Sequence, residues 1–402
     1  MKNSILFILH LPPPIHGAAT VGKYIHDSEI INSEFDCHYL NLTTALSLED
    51  IGKFNIKKVP MFCRLLCQIR KSVKDIQPQL VYITPNAKGG PFYKDYVVVM
   101  MLKRLGCNIV AHYHNKGVAT RQDKWFDNIL YKRFFKNVKI ILLAEPLYQD
   151  VSKYVKREDT YICPNGIPQP SEPAVRKEQS ETEILFLSNL LISKGILVLL
   201  HALAILRQKG CSFHCTIGGG ETKEISASRL QEEIIARGLQ EVVTYKGQLV
   251  GKAKESALGK ADIFIFPSFN EAFSLVLLEA MSHGVPCITT NVGGIPTAVE
   301  DGVTGFITEK NSPTAVAEKT EYLIHHPEVR QKMGEAGRKR FLKLFTIEVF
   351  ERRLTQILKT VIEPALESGP LRNGSCVFLI QEAGFHQLLN IRFKICQNGG
   401  GC

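Results

Sequence analysis

The chain has 402 residues, of which 45% are hydrophobic and 22% charged, which excludes a disordered or fibrous protein and indicates a globular one. No apolar run reaches the roughly eighteen residues that a transmembrane helix requires, and the length predicts two domains of ordinary size. The eleven cysteines are odd in number and have no metal-ligand spacing, so we expect free thiols in a reducing cytoplasm and no metal site.

The net charge of +10 is unevenly distributed along the chain. Residues 1–165 hold 23 Lys and Arg against 14 Asp and Glu, a net charge of +9, whereas the rest of the chain holds 26 against 25. Such asymmetry indicates an anionic partner for the N-terminal half, and no nucleic-acid-binding motif accompanies it. We therefore expect a membrane surface or lipid phosphate as partner, no nucleic acid, and a cytoplasmic protein at the inner face of the membrane.

Residues 57–74 are predicted to form a helix, and this helix would make the contact with the membrane surface. Lys and Arg occupy much of its surface. An apolar stripe at helical spacing is formed by Phe62, Leu65, Leu66, Ile69 and Val73. One interpretation is a helix packed on a sheet with a solvated basic face, and the other is a helix that contacts anionic lipid.

The N-terminal half alternates short apolar runs of β-formers with helical segments. The predicted strands are residues 5–9, 80–84, 108–113 and 140–143, and the predicted helices are residues 18–28, 57–74, 93–104 and 124–139. A loop that ends at Gly17 follows the first strand, and His114 follows the strand at 108–113. Alternation along that strand places His112 and His114 on the same side.

The C-terminal half repeats the pattern after a linker. Asn165-Gly166 between two prolines predicts a tight turn, and residues 169–182 predict an exposed linker. The predicted strands that follow are residues 183–187, 213–217, 242–245, 263–266 and 287–290, and the last predicted helices are 313–325, 328–343 and 347–366.

This alternation predicts an α/β protein with two Rossmann-like parallel-sheet domains that face each other across a cleft. The predicted boundaries are residues 1–165 for the first domain, 183–345 for the second and 346–366 for a closing helix. Residues 369–402 have no clear amphipathic period and are assigned to no element.

Residues 261–296 carry the strongest functional signal. A strand, a loop, a helix and a second strand follow one another, and Glu271 and Glu279 bracket the start of the helix with seven residues between them. Ligands of open α/β sheets bind at the carboxyl ends of the strands, where this loop lies. Carboxylates suit sugar hydroxyl groups, and the backbone N–H groups of residues 273–275, at a helix N-terminus that Ser274 can cap, suit a diphosphate. The plainer interpretation is an ordinary βαβ unit with one solvated and one capping Glu.

The E-x7-E spacing, followed by Ala280-Met281 and then by Gly284 and Pro286, resembles the signature of the family-4 retaining glycosyltransferases of GT-B fold. The resemblance extends over residues 3–366 and includes Lys194-Gly195 and the glycine loop at 293–294. It implies a retaining, metal-independent enzyme that moves a sugar from a nucleotide-sugar donor to a glycan or lipid-linked acceptor, as in cell-surface polysaccharide synthesis. No cofactor is implied, because the nucleotide sugar is a substrate. The resemblance also implies that the last helix returns to the first domain.

The resemblance also implies roles for individual residues. His114, Glu271 and Lys194 would be the catalytic group, with His114 and Glu271 on the transferred sugar and Lys194 on the donor phosphates, while Glu279 would hold the ribose. The further donor-binding positions that it implies are Gly17, Asn189, Gly220, Leu249, Phe273, Ser274 and Leu275.

Two positions depart from the family pattern. Asn189 stands where the family has an Arg that binds phosphate with the Lys, and Ala18 stands where the family has a second Gly. These departures leave open a catalytically degenerate binding or partner subunit. A sugar-nucleotide epimerase shares the architecture but lacks the Glu271–Met281 pattern.

Overall fold

The computed structural model describes residues 2–14, 16–43, 58–170 and 181–363. Its described part contains two six-stranded sheets, and every strand pair in them is parallel. The predicted α/β class with two Rossmann-like sheets is therefore confirmed. None of the described helices is long and apolar enough to cross a membrane.

The first sheet has the strand order β2-β1-β3-β4-β5-β6. Its strands are β1 (Ser4–Leu9), β2 (Asp36–Asn41), β3 (Leu80–Ile83), β4 (Ile109–Tyr113), β5 (Lys139–Leu142) and β6 (Thr160–Ile162). The helices between them are α1 (Gly17–Asp27), α2 (Glu29–Glu34), α3 (Lys58–Ile76), α4 (Gly89–Arg104) and α5 (Trp125–Phe135). The predicted helix at 124–139 thus ends four residues early, because Asn137 takes a left-handed φ of 56° and β5 begins at Lys139.

The second sheet has the order β12-β11-β10-β7-β8-β9. Its strands are β7 (Thr182–Leu187), β8 (Phe213–Gly218), β9 (Val243–Tyr245), β10 (Ile263–Phe266), β11 (Cys287–Thr290) and β12 (Gly305–Thr308). Its helices are α6 (Ile196–Gln208), α7 (Ala227–Ala236), α8 (Gly251–Lys260), α9 (Leu275–Ser282), α10 (Ile295–Ala298), α11 (Pro313–His325) and α12 (Pro327–Leu344).

A last helix, α13 (Ile347–Ile362), packs against α2 and the first sheet rather than the second. Its apolar side chains Phe350, Leu354 and Leu358 are fully buried in one cluster with Phe7 and Val21 of β1 and α1. Each such side chain contributes about 1.5–3 kcal/mol relative to an exposed one. This burial holds the end of the described chain on the N-terminal half.

Residues 164–166 form no turn in the structure, so the predicted tight turn at Asn165-Gly166 is wrong. Ile167 pairs with Thr346, and a Cβ atom on Gly166 would lie 2.3 Å from the Thr346 carbonyl oxygen. Glycine is therefore used here for a close backbone approach to the start of α13, not for a turn.

Some sequence expectations lie outside the described residues. Within the predicted linker, residues 171–180 are not described, nor is any residue of 369–402. The domain boundaries inferred from sequence remain predictions.

Candidate functional site

The loops after β7 and β10 meet at the carboxyl edge of the second sheet. The Phe269 N–H donates to the Ser193 carbonyl oxygen at 2.8 Å, which joins the loops directly. Across this junction the Lys194 ammonium forms an ion pair with Glu271, and both side chains are more than three-quarters buried. The ammonium also lies 5.8 Å from the centre of the Phe266 ring. The structure thus brings together a cation and a carboxylate that are 77 residues apart in sequence.

Two glycines allow this arrangement. Gly195 has a φ of +83°, and a Cβ atom there would lie 2.1 Å from the Pro267 carbonyl oxygen. Gly293 has a φ of +57°, and a Cβ atom there would lie 2.0 Å from the Glu271 carbonyl oxygen. Both positions combine a left-handed backbone with contact distances that only glycine permits. The backbone that carries Lys194 and Glu271 is therefore fixed from both sides.

Glu279 lies one turn into α9 and is mostly buried. Its Oε1 accepts a hydrogen bond of 2.6 Å from the Lys254 ammonium of α8, and its Oε2 is buried without a hydrogen-bond partner among the described residues. Burial raises the pKa of Glu279, and Lys254 opposes this rise. The charge of Glu279 in turn contributes to the raised pKa of Tyr24 on α1, after burial. An unpaired buried carboxylate oxygen is costly, and a ligand hydroxyl group would satisfy it.

The N-terminus of α9 differs from its prediction in one respect. Ser274 occupies the N-cap position, but its side chain makes no capping hydrogen bond, so the predicted cap is absent. Phe273 and Ser274 are buried, Leu275 is half-buried, and the Phe273 ring packs 6.0 Å from that of Phe345. The first N–H groups of α9 remain suited to an anion, because no serine oxygen accepts from them.

Three further candidate residues lie in the loops that follow the carboxyl ends of β7, β8 and β9. Asn189 is exposed, and its Oδ1 would lie 3.2 Å from a Cβ atom on Gly220. Leu249 is half-buried and packs against Gly218, where a Cβ atom would lie 2.7 Å from the leucine side chain. Asn189 thus lies against Gly220, and Leu249 lies against Gly218, two residues before Gly220.

In the first half, His114 lies at the end of β4 with its ring 4.3 Å from that of His112, as the alternation predicted. Both ring nitrogens of His114 are out of contact with solvent and have no hydrogen-bond partner in the described chain. Burial, and secondarily the nearby His16, lowers its pKa to about 4, and the neighbouring Asn165 amide opposes this. His114 is thus a neutral group with unused hydrogen-bonding capacity at physiological pH.

Gly17 is the first residue of α1, and a Cβ atom there would meet nothing within 4 Å. The protein itself therefore does not require glycine at this position. His16 precedes it and caps α1, because its Nδ1 accepts from the Ala19 N–H at 3.4 Å.

The two halves approach each other at these loops. A Cβ atom on Gly294 would lie 3.0 Å from Cβ of Ala144, which follows β5 in the first half. Lys116 lies beyond β4, and its pKa is lowered by burial and then by the charge of Lys310. The Glu271 carboxylate opposes part of this decrease. Lys116, Lys254 and Lys310 were missed by sequence reasoning, because an isolated Lys carries no signal of what it will face.

We expect the protein to lose stability in acid, because two buried histidines have lowered pKa values in the folded state. Burial, Lys94 and nearby histidines lower the pKa of His10 to about 3, and that of His114 is about 4. An unfolded His binds its proton near pH 6.5, so the unfolded state binds more protons as the pH falls below that value. As the pH falls from about 6.5 to the folded pKa of each histidine, that histidine should lower the free energy of unfolding by up to about 1.4 kcal/mol per pH unit.

Urea unfolding between pH 7 and pH 4 measures this slope. We expect His10→Gln to flatten it, whereas His201→Gln, at an exposed position, should leave it unchanged. An equal slope in wild type and His10→Gln would contradict the assignment.

Residues 169–340 match the family model described as "Glycosyl transferases group 1". The D-inositol 3-phosphate glycosyltransferase of Paenarthrobacter aurescens (strain TC1) is 35% identical over 156 residues, which cover 38% of this chain and 37% of that protein. The capsular polysaccharide biosynthesis glycosyltransferase CapM of Staphylococcus aureus is 39% identical over 102 residues, which cover 25% of this chain and 27% of that protein. The matched segments thus span about a third of the length of these relatives.

Among solved structures, Anabaena HepE in complex with UDP and glucose has a TM-score of 0.67. The sequence identity is 16%, and the match covers 89% of this chain and 100% of that one. At this identity the likeness shows the fold alone, and it extends over both six-stranded sheets of this chain.

Proposed function

We propose that the chain is a retaining glycosyltransferase of GT-B fold, because residues 169–340 match the glycosyl transferases group 1 model and the structure resembles that of HepE. It moves a sugar from a nucleotide-sugar donor, held by the second half, to a glycan or lipid-linked acceptor held by the first half. CapM acts in capsular polysaccharide biosynthesis, which supports cell-surface polysaccharide synthesis as the setting.

The ion pair between Lys194 and Glu271 carries this proposal. Two charged side chains are desolvated together at the carboxyl edge of a parallel sheet, where an ordinary βαβ unit has no need of them. A bound donor offers each a better partner, because its diphosphate accepts from the ammonium and its sugar hydroxyl groups donate to the carboxylate. The pair thus keeps both groups in place until the donor separates them.

The chemical step breaks the bond from the sugar to the diphosphate and forms a bond from the same carbon to an acceptor hydroxyl oxygen, whose proton passes to the departing diphosphate. Negative charge develops on that leaving group as the first bond breaks. Lys194 and the backbone N–H groups at the start of α9 stabilise that charge. The free Oε2 of Glu279 accepts from a ribose hydroxyl group, and neutral His114 hydrogen-bonds the transferred sugar. The proposed reaction uses no metal ion and no cofactor, since Lys194 and the N–H groups at the start of α9 supply the positive charge.

UDP-sugars are the first donors to test, because HepE was solved with UDP and glucose. The decisive measurement incubates the protein with a panel of nucleotide sugars and a bacterial lipid extract, and detects glycosylated product by mass spectrometry. Product from one donor supports the proposal, whereas donor binding without product supports the degenerate binding subunit as the alternative function.

Asn189→Arg tests that alternative. Asn189 is exposed beside Gly220 and offers only a neutral amide, whereas Arg would add a charged hydrogen bond to phosphate worth about 1.5–3 kcal/mol. We expect roughly 10- to 150-fold tighter binding of UDP in calorimetry, with turnover retained. Loss of turnover in a folded variant would show that the pocket is built around the amide.

We further propose that the first half rests on an anionic membrane surface and works at the cytoplasmic face. The apolar stripe of α3 is used by the fold, since Leu65, Ile69 and Val73 are buried, so the contact falls to its exposed cations Arg64, Arg70, Lys71 and Lys74. Trp125 and Phe126, which begin α5, are 77% and 55% exposed. Aromatic side chains beside cations are typical of a membrane interface.

Vesicle co-sedimentation tests this contact. Each cation near an anionic leaflet contributes about 1 kcal/mol, so binding to anionic vesicles should be reversible by salt. Replacement of the four α3 cations by Gln should abolish it, and Trp125→Ser with Phe126→Ser should weaken it at every salt concentration. Equal binding to neutral vesicles, or unchanged binding by both variants, would refute the proposal.

A further inference from the structure

Three metal-ligating side chains meet on the second half, at the edge of the sheet opposite the candidate donor site. Cys211 lies between α6 and β8, just before that strand begins. Glu321 and His325 lie in the last part of α11. One ligand atom from each of the three residues lies within 4.8 Å of the other two.

The backbone places these groups without help from a ligand. Glu321 and His325 are four residues apart on one helix, so they share a face. The Cys211 N–H donates to the Leu206 carbonyl oxygen at 3.1 Å, which fixes the cysteine to the end of α6, and α6 packs against α11. Two packed helices therefore hold the thiol opposite the carboxylate and the imidazole.

The distances suit a tetrahedral ion after small side-chain rotations. Bonds of about 2.0–2.3 Å to zinc place neighbouring ligand atoms roughly 3.3–3.6 Å apart. His325 is exposed, and Cys211 and Glu321 are half-buried, so the ligands can close the remaining gap. The Lys209 ammonium binds Glu321 Oε2 at 2.6 Å and would compete with a metal ion for this carboxylate.

We propose that Cys211, Glu321 and His325 form a binding site for one zinc-class divalent ion, with water at a fourth position. Thiolate and imidazole favour such an ion over magnesium or calcium, which prefer oxygen. Binding releases the thiol proton to solvent. The ion would join α11 to the turn between α6 and β8, and it takes no part in glycosyl transfer because the donor site lies at the other edge of the sheet.

Cobalt(II) is the probe, because a thiolate bound to it gives a charge-transfer absorption. We expect the full-length protein to show a saturable band at one cobalt per chain that zinc displaces. Cys211→Ser should remove the band, and His325→Ala should weaken cobalt binding about tenfold or more. Lys209→Gln should tighten binding, because it removes the competitor for Glu321.

Cys63→Ser with Cys67→Ser is the matched control, since both thiols are exposed on α3 and are four residues apart. That double variant should keep the band, and circular dichroism should show an unchanged fold for every variant. Donor turnover should be equal in wild type and Cys211→Ser. No saturable band in the wild type, a band that survives Cys211→Ser, or a band lost in the control would overturn the proposal.

Discussion

Lys194→Ala is expected to lower kcat for the sugar donor by about 100- to 1,000-fold, the usual cost of removing one group that stabilises charge in a transition state. Lys194 is the cation that the structure places at the junction of the β7 and β10 loops, and Asn189 cannot replace its charge. Ground-state binding of UDP should also weaken, by about 1.5–3 kcal/mol in calorimetry. The larger loss should appear in kcat, since the phosphate gains charge as the bond breaks.

Two variants sharpen this prediction. Lys332→Ala removes an exposed Lys from α12 and should leave kcat/KM unchanged. Glu271→Gln removes the partner charge but keeps the side-chain size, so it should reduce turnover while UDP binding persists, because a nucleoside diphosphate lacks the sugar that Glu271 would hold. Wild-type kinetics for Lys194→Ala would refute the assignment of the donor site to the junction of the β7 and β10 loops.

Gly293→Ala is expected to reduce both stability and turnover. The added methyl group would lie 2.0 Å from the Glu271 carbonyl oxygen, and the position has a φ of +57°. A left-handed alanine costs about 1–2 kcal/mol, and overpacking adds about 1–3 kcal/mol, so we expect about 2–5 kcal/mol less free energy of unfolding. The backbone of Glu271 must move to admit the methyl group, which should separate Glu271 from Lys194 and lower turnover further than the stability loss explains.

Gly337→Ala is the matched control for urea unfolding. Gly337 lies inside α12, and a Cβ atom there would make ordinary contacts, the nearest at 3.7 Å from Thr304. Alanine should stabilise this helix by up to about 1 kcal/mol. A destabilisation of the same size in both variants would mean that Gly293 has no special constraint.

Most of the fold was readable from the sequence because its strands are short apolar runs that alternate with helices. The strands at 263–266 and 287–290 were predicted to the residue, since a proline or glycine stands next to each. The errors arose where a residue type serves two purposes. Asn165-Gly166 has the composition of a turn, yet Gly166 is needed for its contact with Thr346, a residue 180 positions away that no local pattern reveals.

The candidate site was predictable only as far as spacing and family resemblance extend. Glu271 and Glu279 stand out by their interval, but the partner of each does not. Lys254 joins Glu279 from the preceding helix, and Cys211 meets His325 across two packed helices. Such neighbours are set by tertiary packing, and single Lys, Cys or His residues give no sequence signal for it.

The pairing of Ile167 with Thr346 has a mechanical consequence. Ile167 follows the last strand of the first sheet, and Thr346 immediately precedes α13, which packs on that sheet, so one backbone pairing joins the segments on either side of the second half. A backbone pairing at this point limits how far the two segments can move apart, because separating them would break the Ile167–Phe345 hydrogen bond. Gly166 leaves no room for a side chain at this pairing, so the two segments touch through backbone atoms, and any larger residue at position 166 would push them apart.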